Sequence, residues 1–345
     1  MSRFIRGMLA ALLAAGMLVG CAAPSEPSEQ EPQKQTADEG QATDRAAAQT
    51  TADEQTQEDA AEDATAWPRT YVDGLDREVV IEARPERIVA LHFGYSEYLL
   101  ALGITPVGVA SLAKAQTFKT LEPYSAELAA AVDVGEVTAP DLERILALEP
   151  DLIIASPGVH DDSVEALSEI APTVFKKNYT VWNETLDDYA QMLGRESEAE
   201  SYTESTQAIL DTVRADLAPL SDKTFLFLRP MGKSVFYIAE WPGYSYHYDR
   251  ETGFGLLAPE GLPQGGEQIA LEALAALNPD YLFLQDSAEN DQQALTDLES
   301  SSVWASIAAV QQGHIGELDI SVNTESPLAV RLAAEQLTEQ VEGWD

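Results

Sequence analysis

Beyond residue 66, short apolar runs alternate with stretches in which apolar residues return every three or four positions. Residues 88–92 (Ile-Val-Ala-Leu-His) read as a buried strand. Residues 95–102 carry helical spacing, and Gly103 is placed to stop that helix. Residues 105–110 predict a second strand. Residues 141–148 predict a helix, with Asp141 as its N-cap behind Pro140. Pro150-Asp151 breaks it, residues 152–155 follow as a strand, 164–170 as a helix and 173–175 as a strand. A second region repeats the style, with strands over 224–228, 234–239 and 281–284. Between the two regions, residues 195–217 predict one helix about 33 Å long, with Tyr202, Thr206, Ile209, Val213 and Leu217 along one face. Strands alternating with helices at this spacing predict parallel sheets in an α/β fold.

One unit recurs. Asp141-Leu-Glu-Arg-Ile-Leu-Ala-Leu-Glu-Pro-Asp151-Leu-Ile-Ile aligns without gaps on Ala270-Leu-Glu-Ala-Leu-Ala-Ala-Leu-Asn-Pro-Asp280-Tyr-Leu-Phe. Leu142/Leu271, Glu143/Glu272, Leu148/Leu277, Pro150/Pro279 and Asp151/Asp280 match. The pattern predicts two similar α/β lobes, 67–194 and 219–345, joined by a helix over 195–218. Ligand sites in such architectures lie between lobes, near the carboxyl ends of strands.

The first 66 residues differ. Arg3 and Arg6 precede an uncharged apolar run, residues 8–19, too short to cross a bilayer comfortably and suited to a signal peptide over 1–20. It ends in Leu18-Val19-Gly20-Cys21, similar to the bacterial lipobox. That similarity implies cleavage before Cys21 and a lipid on its sulfur. Cys21 is the one cysteine in the chain, which leaves none for a disulfide or a nucleophile elsewhere. Residues 22–66 hold twelve acids, two bases, no aromatic and no aliphatic larger than Ala. Such a segment buries too little to offset its ordering entropy, so 21–66 is expected to be a lipidated cysteine and a disordered acidic tether.

Charge narrows the partners. With 59 Asp+Glu against 20 Lys+Arg, the net charge is -39. Phosphate backbones and anionic head groups repel such a chain, so nucleic acid is excluded and membrane contact falls to the anchor. No P-loop is present. The near-matches to a nucleophile elbow at Ser96 and Ser245 each lack the final glycine, which disfavours a hydrolase. The reading is a binding protein, not an enzyme, with no resident cofactor.

From about Tyr71 onward the chain resembles the periplasmic binding proteins for ferric siderophores, haem and cobalamin. The stretches are Arg87-Ile-Val-Ala-Leu-His with 97–108, 142–154, Ala171-Pro172-Thr173-Val174, 255–262 and 271–280. The resemblance implies the class III fold: two Rossmann-like lobes, one long rigid helix and modest closure on ligand. It implies the substrate-capturing subunit of an ABC importer, lipid-anchored outside the cell membrane, monomeric and served by a permease and its ATPase. A Gram-positive surface fits a lipid-anchored receptor. It also implies that Glu143 and Glu272 meet arginines of the permease. An acid in the first turn of a helix has a structural use too, worth about 0.3–1 kcal/mol against the macrodipole.

Ligand-facing candidates are residues just after strands. His92 and Tyr95 follow the first, with Phe93, Ser111, Lys114 and His160 nearby in the pattern. Tyr179 and Trp182 precede the long helix. Trp241, Tyr244 and Tyr246 sit in an aromatic loop, and Arg229 follows the strand 224–228. Arginine binds anionic oxygens bidentately, and the resemblance places an arginine at this strand end in siderophore binders. A ferric siderophore is the leading ligand, with haem or cobalamin as alternatives. A bare metal is more remote, because the four histidines show no ligand spacing.

Overall fold

The structure, a computed structural model, describes residues 66–177, 181–230, 235–238, 246–263, 267–286, 298–324, 326–342 and 344. Cys21, the acidic segment, Tyr179, Trp241 and Tyr244 lie outside these residues.

The first lobe opens with the hairpin β1 (Arg69–Val72) and β2 (Glu78–Ile81). It runs on through β3 (Ile88–Ala90), α1 (Phe93–Ala101), β4 (Gly108–Val109), α2 (Leu112–Ala115), α3 (Ser125–Leu128) and β5 (Val132–Asp133). The small hairpin β6 (Gly135–Glu136) and β7 (Ala139–Pro140) leads to α4 (Leu142–Ala147), β8 (Leu152–Ala155), α5 (Val164–Ser168) and β9 (Thr173–Phe175). Two helices follow, α6 (Trp182–Leu193) and α7 (Glu196–Asp216). The second lobe contains β10 (Phe225–Pro230), β11 (Val235–Ile238), β12 (Glu267–Ala270), α8 (Leu271–Leu277), β13 (Tyr281–Asp286), α9 (Ala308–Gln312), β14 (Ile315–Asp319) and α10 (Pro327–Val341). The architecture is two α/β lobes joined by one long helix.

The first sheet has the order β5-β4-β3-β8-β9, and every pairing in it is parallel. A parallel sheet is covered on both faces, so its strands are apolar at consecutive positions. All four residues of β8 are buried. Alternation then sorts them. Ile88, Ala90, Leu152 and Ile154 join one core cluster. Val89, Leu91, Ile153 and Ala155 join another, with Ile145 of α4 and Leu167 of α5. The second sheet, β12-β11-β10-β13-β14, is parallel at β10, β13 and β14 and antiparallel at β11. Leu226, Leu228, Leu282 and Leu284 pack under α8 with Leu271 and Leu274. The opposite face, with Phe225, Phe227, Tyr281 and Phe283, belongs to the same cluster as the first sheet's Ile88 and Leu152. One core therefore runs through both lobes, filled by α1, α6, α7 and α10.

Local signals place the elements as the sequence predicts. Asp141 accepts from the Glu143 and Arg144 amides and caps α4. Gly103 takes φ 70° just past α1, a left-handed conformation that costs glycine little. The long helix keeps its predicted face except at one position. Its buried positions are Ala199, Thr206, Leu210 and Val213, while Ile209 is 36% exposed. Consecutive residues lie about 100° apart around a helix, so Leu210, not Ile209, completes the buried stripe that Thr206 and Val213 share with the predicted face. Helix α6, for which the sequence pattern predicts no element, is an amphipathic element that buries Trp182, Leu186, Tyr189, Ala190 and Leu193.

The repeat has a structural meaning. The Asp151 carboxylate accepts from the backbone N–H of Glu86 (2.8 Å) and Arg87 (3.0 Å), just before β3. The Asp280 carboxylate accepts from the Thr224 N–H (2.8 Å) and hydroxyl (3.0 Å), just before β10. Each aspartate thus ties its own strand to the first central strand of its lobe. The residue before each proline is left-handed in both copies, Glu149 at φ 46° and Asn278 at φ 44°.

Candidate functional site

The carboxyl ends of the central strands carry two groups of the candidate residues, one in each lobe. In the first lobe β3 delivers His92, which caps α1: its Nδ1 accepts from the Gly94 N–H at 3.1 Å. Phe93 stacks on His92 at 4.4 Å and meets Phe118 edge-on at 5.1 Å. The Lys114 ammonium, from α2, stands 5.5 Å from the Phe93 ring centre. Burial, with the nearby His160 and Lys114, lowers the His92 pKa to about 4, so the imidazole is neutral at physiological pH. Phe93 and His92 are half-buried and Lys114 is exposed. Together they form an aromatic face with a cation over it. Phe118, which completes the platform, carries no motif in the sequence and enters only through the fold.

Other predicted residues sit elsewhere. Tyr95 is buried, and its hydroxyl donates to the Lys176 carbonyl (2.9 Å) and lies 2.7 Å from the Ser156 hydroxyl. It ties the ends of β8 and β9 to α1 instead of presenting itself to a ligand. Trp182 is 1% exposed and donates through Nε1 to the Thr252 carbonyl (2.8 Å). Tyr246 is 1% exposed and donates to the Val322 carbonyl (3.1 Å). Burial removes both from a ligand-facing set: large amphipathic rings at the junction of elements fill the core and satisfy their polar tips there. The close approach around Tyr246 depends on Gly253, where a Cβ would come within 1.8 Å of the Tyr246 oxygen. His160 is also internal, its Nδ1 accepting from the Ser156 N–H (2.9 Å) and its Nε2 bonded to the Val137 carbonyl (2.6 Å). With both nitrogens engaged it is not placed to ligate a metal, and the described residues contain no cluster of three metal-ligating side chains.

Arg229 lies inside β10, opposite Tyr237 of β11, and is half-buried near the strand's carboxyl end. Glu143 and Glu272 hold equivalent positions, each the second residue of its helix, and both are exposed. No described helix is long and apolar enough to cross a membrane.

Comparisons with known proteins agree with this architecture. The chain is 27% identical over 243 residues to the Fe(3+)-citrate-binding protein YfmC of Bacillus subtilis (strain 168), covering 69% of this chain and 75% of that protein. It is 23% identical over 344 residues to a B. subtilis ABC transporter substrate-binding lipoprotein, YvrC, itself uncharacterized, covering 96% and 95%. Staphylococcus aureus SirA, solved with staphyloferrin B, superposes with a TM-score of 0.66 at 22% identity, covering 79% of this chain and 98% of SirA. The periplasmic binding protein family model matches residues 88–321. The two-lobed core, the repeated helix-strand unit and this match over most of the chain establish that the protein belongs to the periplasmic binding protein family.

Proposed function

We propose that this protein is the capture subunit of an ABC importer for a ferric siderophore. It is lipid-anchored through Cys21 on the outer side of the cell membrane and carried on the acidic segment 21–66. The observation that carries the ligand class is the Phe93–His92–Lys114 group. An aromatic face beside an ammonium suits an anionic iron chelate with planar donor groups, and Arg229 supplies a second cation from the other lobe. The relatives support the reading: one is named for ferric citrate, and SirA was solved with a siderophore. The leader resembling a lipobox and the lipoprotein relative support the anchor.

Delivery is assigned to Glu143 and Glu272. One exposed acid per lobe, at equivalent places in a repeated unit, gives a two-point contact for a permease with paired basic sites. Charge reversal at both positions is expected to stop import while ligand affinity stays intact; persistent import would overturn the docking role.

The binding test uses the full chain with Cys21→Ser, titrated by tryptophan fluorescence. The panel is ferric citrate, ferric hydroxamate and catecholate siderophores, haem and cobalamin. A ferric siderophore is expected to quench at submicromolar concentration without turnover, and Arg229→Ala or Lys114→Ala to weaken it. Silence across all the iron complexes, or a response to haem or cobalamin alone, would overturn the ligand assignment.

A further inference from the structure

A carboxyl group is buried where the two lobes meet. Glu97 lies on α1, is fully buried, and belongs to none of the surfaces assigned above. Its Oε1 accepts from the Thr120 hydroxyl, which the 3-10 turn Lys119–Tyr124 of the first lobe supplies. Its Oε2 is enclosed and makes no hydrogen bond. The Thr324 and Ser326 hydroxyls of the second lobe also face the carboxyl and, like Thr120, favour its charged form, though by less than burial disfavours it. Thr324 also donates to the Ser321 carbonyl (3.0 Å), while the Ser326 hydroxyl accepts from the Ala329 N–H (3.0 Å). The same seam is stitched by the Thr120 N–H, which donates to the Ser321 hydroxyl at 3.3 Å.

The surroundings do not neutralise a charge there. From α7, Tyr202 faces Glu97, and burial raises the pKa of its phenol, which stays protonated. From α10, Arg331 lies flat on the Tyr202 ring at 3.6 Å and donates to the Thr206 hydroxyl and the Tyr202 carbonyl. Its guanidinium is committed to α7. Tyr124, at the end of the 3-10 turn, is a phenol also raised by burial. In the turn Ile320–Thr324, Ser321 is bonded to Asp319, so the next charge on that side is negative. Among the described residues no cation faces Glu97. A carboxylate enclosed with hydroxyls but no cation beside it is costly, whereas a carboxylic acid is not.

We propose that Glu97 is a pH-set latch between the lobes: its neutral acid holds the seam of α1, the two 3-10 turns and α10 together, and its ionisation loosens that seam. Burial moves the group up to about 7 from an ordinary value near 4.5. The closed seam therefore holds a proton that an opened one releases. Closure is strongest below pH 4.5 and weakens as pH rises through the window to about 7. Across pH 6 to 8 the opening constant should rise about tenfold. The latch stands on the seam itself and is independent of the ligand assignment.

Amide hydrogen exchange on the full chain tests it, read at the Thr120 and Ala329 N–H groups and corrected for intrinsic rates. In the native sequence their protection is expected to fall about tenfold between pH 6 and 8. In Glu97→Gln, which is neutral at every pH, it should stay within about twofold. Removing the donor to Oε1 with Thr120→Val should move the midpoint to higher pH, an effect that loss of packing alone would not produce. Carboxyl-carbon NMR of the native protein keeps the test decisive if the glutamine variant does not fold. A Glu97 signal titrating near 7 supports the latch. A signal near 4.5, an unchanged midpoint in Thr120→Val, or the same loss of protection in Glu97→Gln overturns it.

Discussion

Replacing Asp280 by alanine removes the acceptor that joins β13 to the start of β10. Its carboxylate receives the Thr224 N–H at 2.8 Å and the Thr224 hydroxyl at 3.0 Å, while the Asp280 N–H donates back to that hydroxyl at 3.0 Å. Hydrogen bonds to a charged acceptor contribute about 1.5–3 kcal/mol each. Asp280 is half-buried, so water recovers part of that, and Asp280→Ala should cost about 2 kcal/mol. For about 280 folded residues that is about 3–4 °C in the unfolding midpoint. Asp280→Asn keeps an acceptor but loses the charge, and should cost about half as much. In a double-mutant cycle, Thr224→Val should couple to Asp280→Ala by about 1 kcal/mol. The assay is thermal unfolding followed by circular dichroism, with denaturant titration as a cross-check. A loss below about 0.5 kcal/mol in Asp280→Ala, the range of an ordinary surface substitution, would refute the claim that the Pro-Asp signature clamps the sheet.

Three further outcomes follow from the same geometry. Glu149→Asn, which copies the residue at the left-handed position of the second repeat, should stabilise by about 0.5–1 kcal/mol in a thermal melt, because asparagine tolerates that conformation better than glutamate. Ala270 stands at the cap of α8 with extended backbone and no capping side chain. Ala270→Asp, copying Asp141, should therefore add about 0.5–1 kcal/mol by denaturant titration. Leu210→Ala should cost about 2–5 kcal/mol and Ile209→Ala under about 1, since the first is enclosed and the second faces solvent; equal costs would contradict the observed phase of α7.

The repeated unit was legible because its information is local. A cap, a proline, an aspartate and an apolar run all lie within fourteen residues, and each has one physical meaning. One position of α7 was harder. Ile209 and Leu210 are adjacent and both apolar, and only contacts with α6 and α10 decide between them. Aromatic residues misled for a related reason. Trp182 and Tyr246 have the composition of a binding wall, yet their polar tips meet backbone carbonyls of Thr252 and Val322 far away in sequence. Glu97 gave no signal of its own, because the hydroxyls around it come from Thr120 and from Thr324 and Ser326, two segments far apart in sequence.

The shared core constrains how such a receptor can move. Ile88 and Leu152 of one sheet and Phe225 and Phe283 of the other belong to one cluster, with α7 inside it. A wide opening would shear a close-packed interior, which is bistable or rigid but not freely deformable. Two polar ties act in the same direction. Trp182 of α6 donates to the Thr252 carbonyl and Arg214 of α7 to the next carbonyl, Gly253. Both hold the segment 246–263 of the second lobe against helices that also pack on the first. Relative motion is thereby confined to small displacements where polar contacts replace apolar packing. The seam at Thr120, Ser321 and Glu97 is such a place. On the proposed latch, a proton at Glu97 acts on a seam whose surrounding surfaces resist change, so its release loosens the contacts of α1 with α10 and the two 3-10 turns locally, without a wide opening of the lobes.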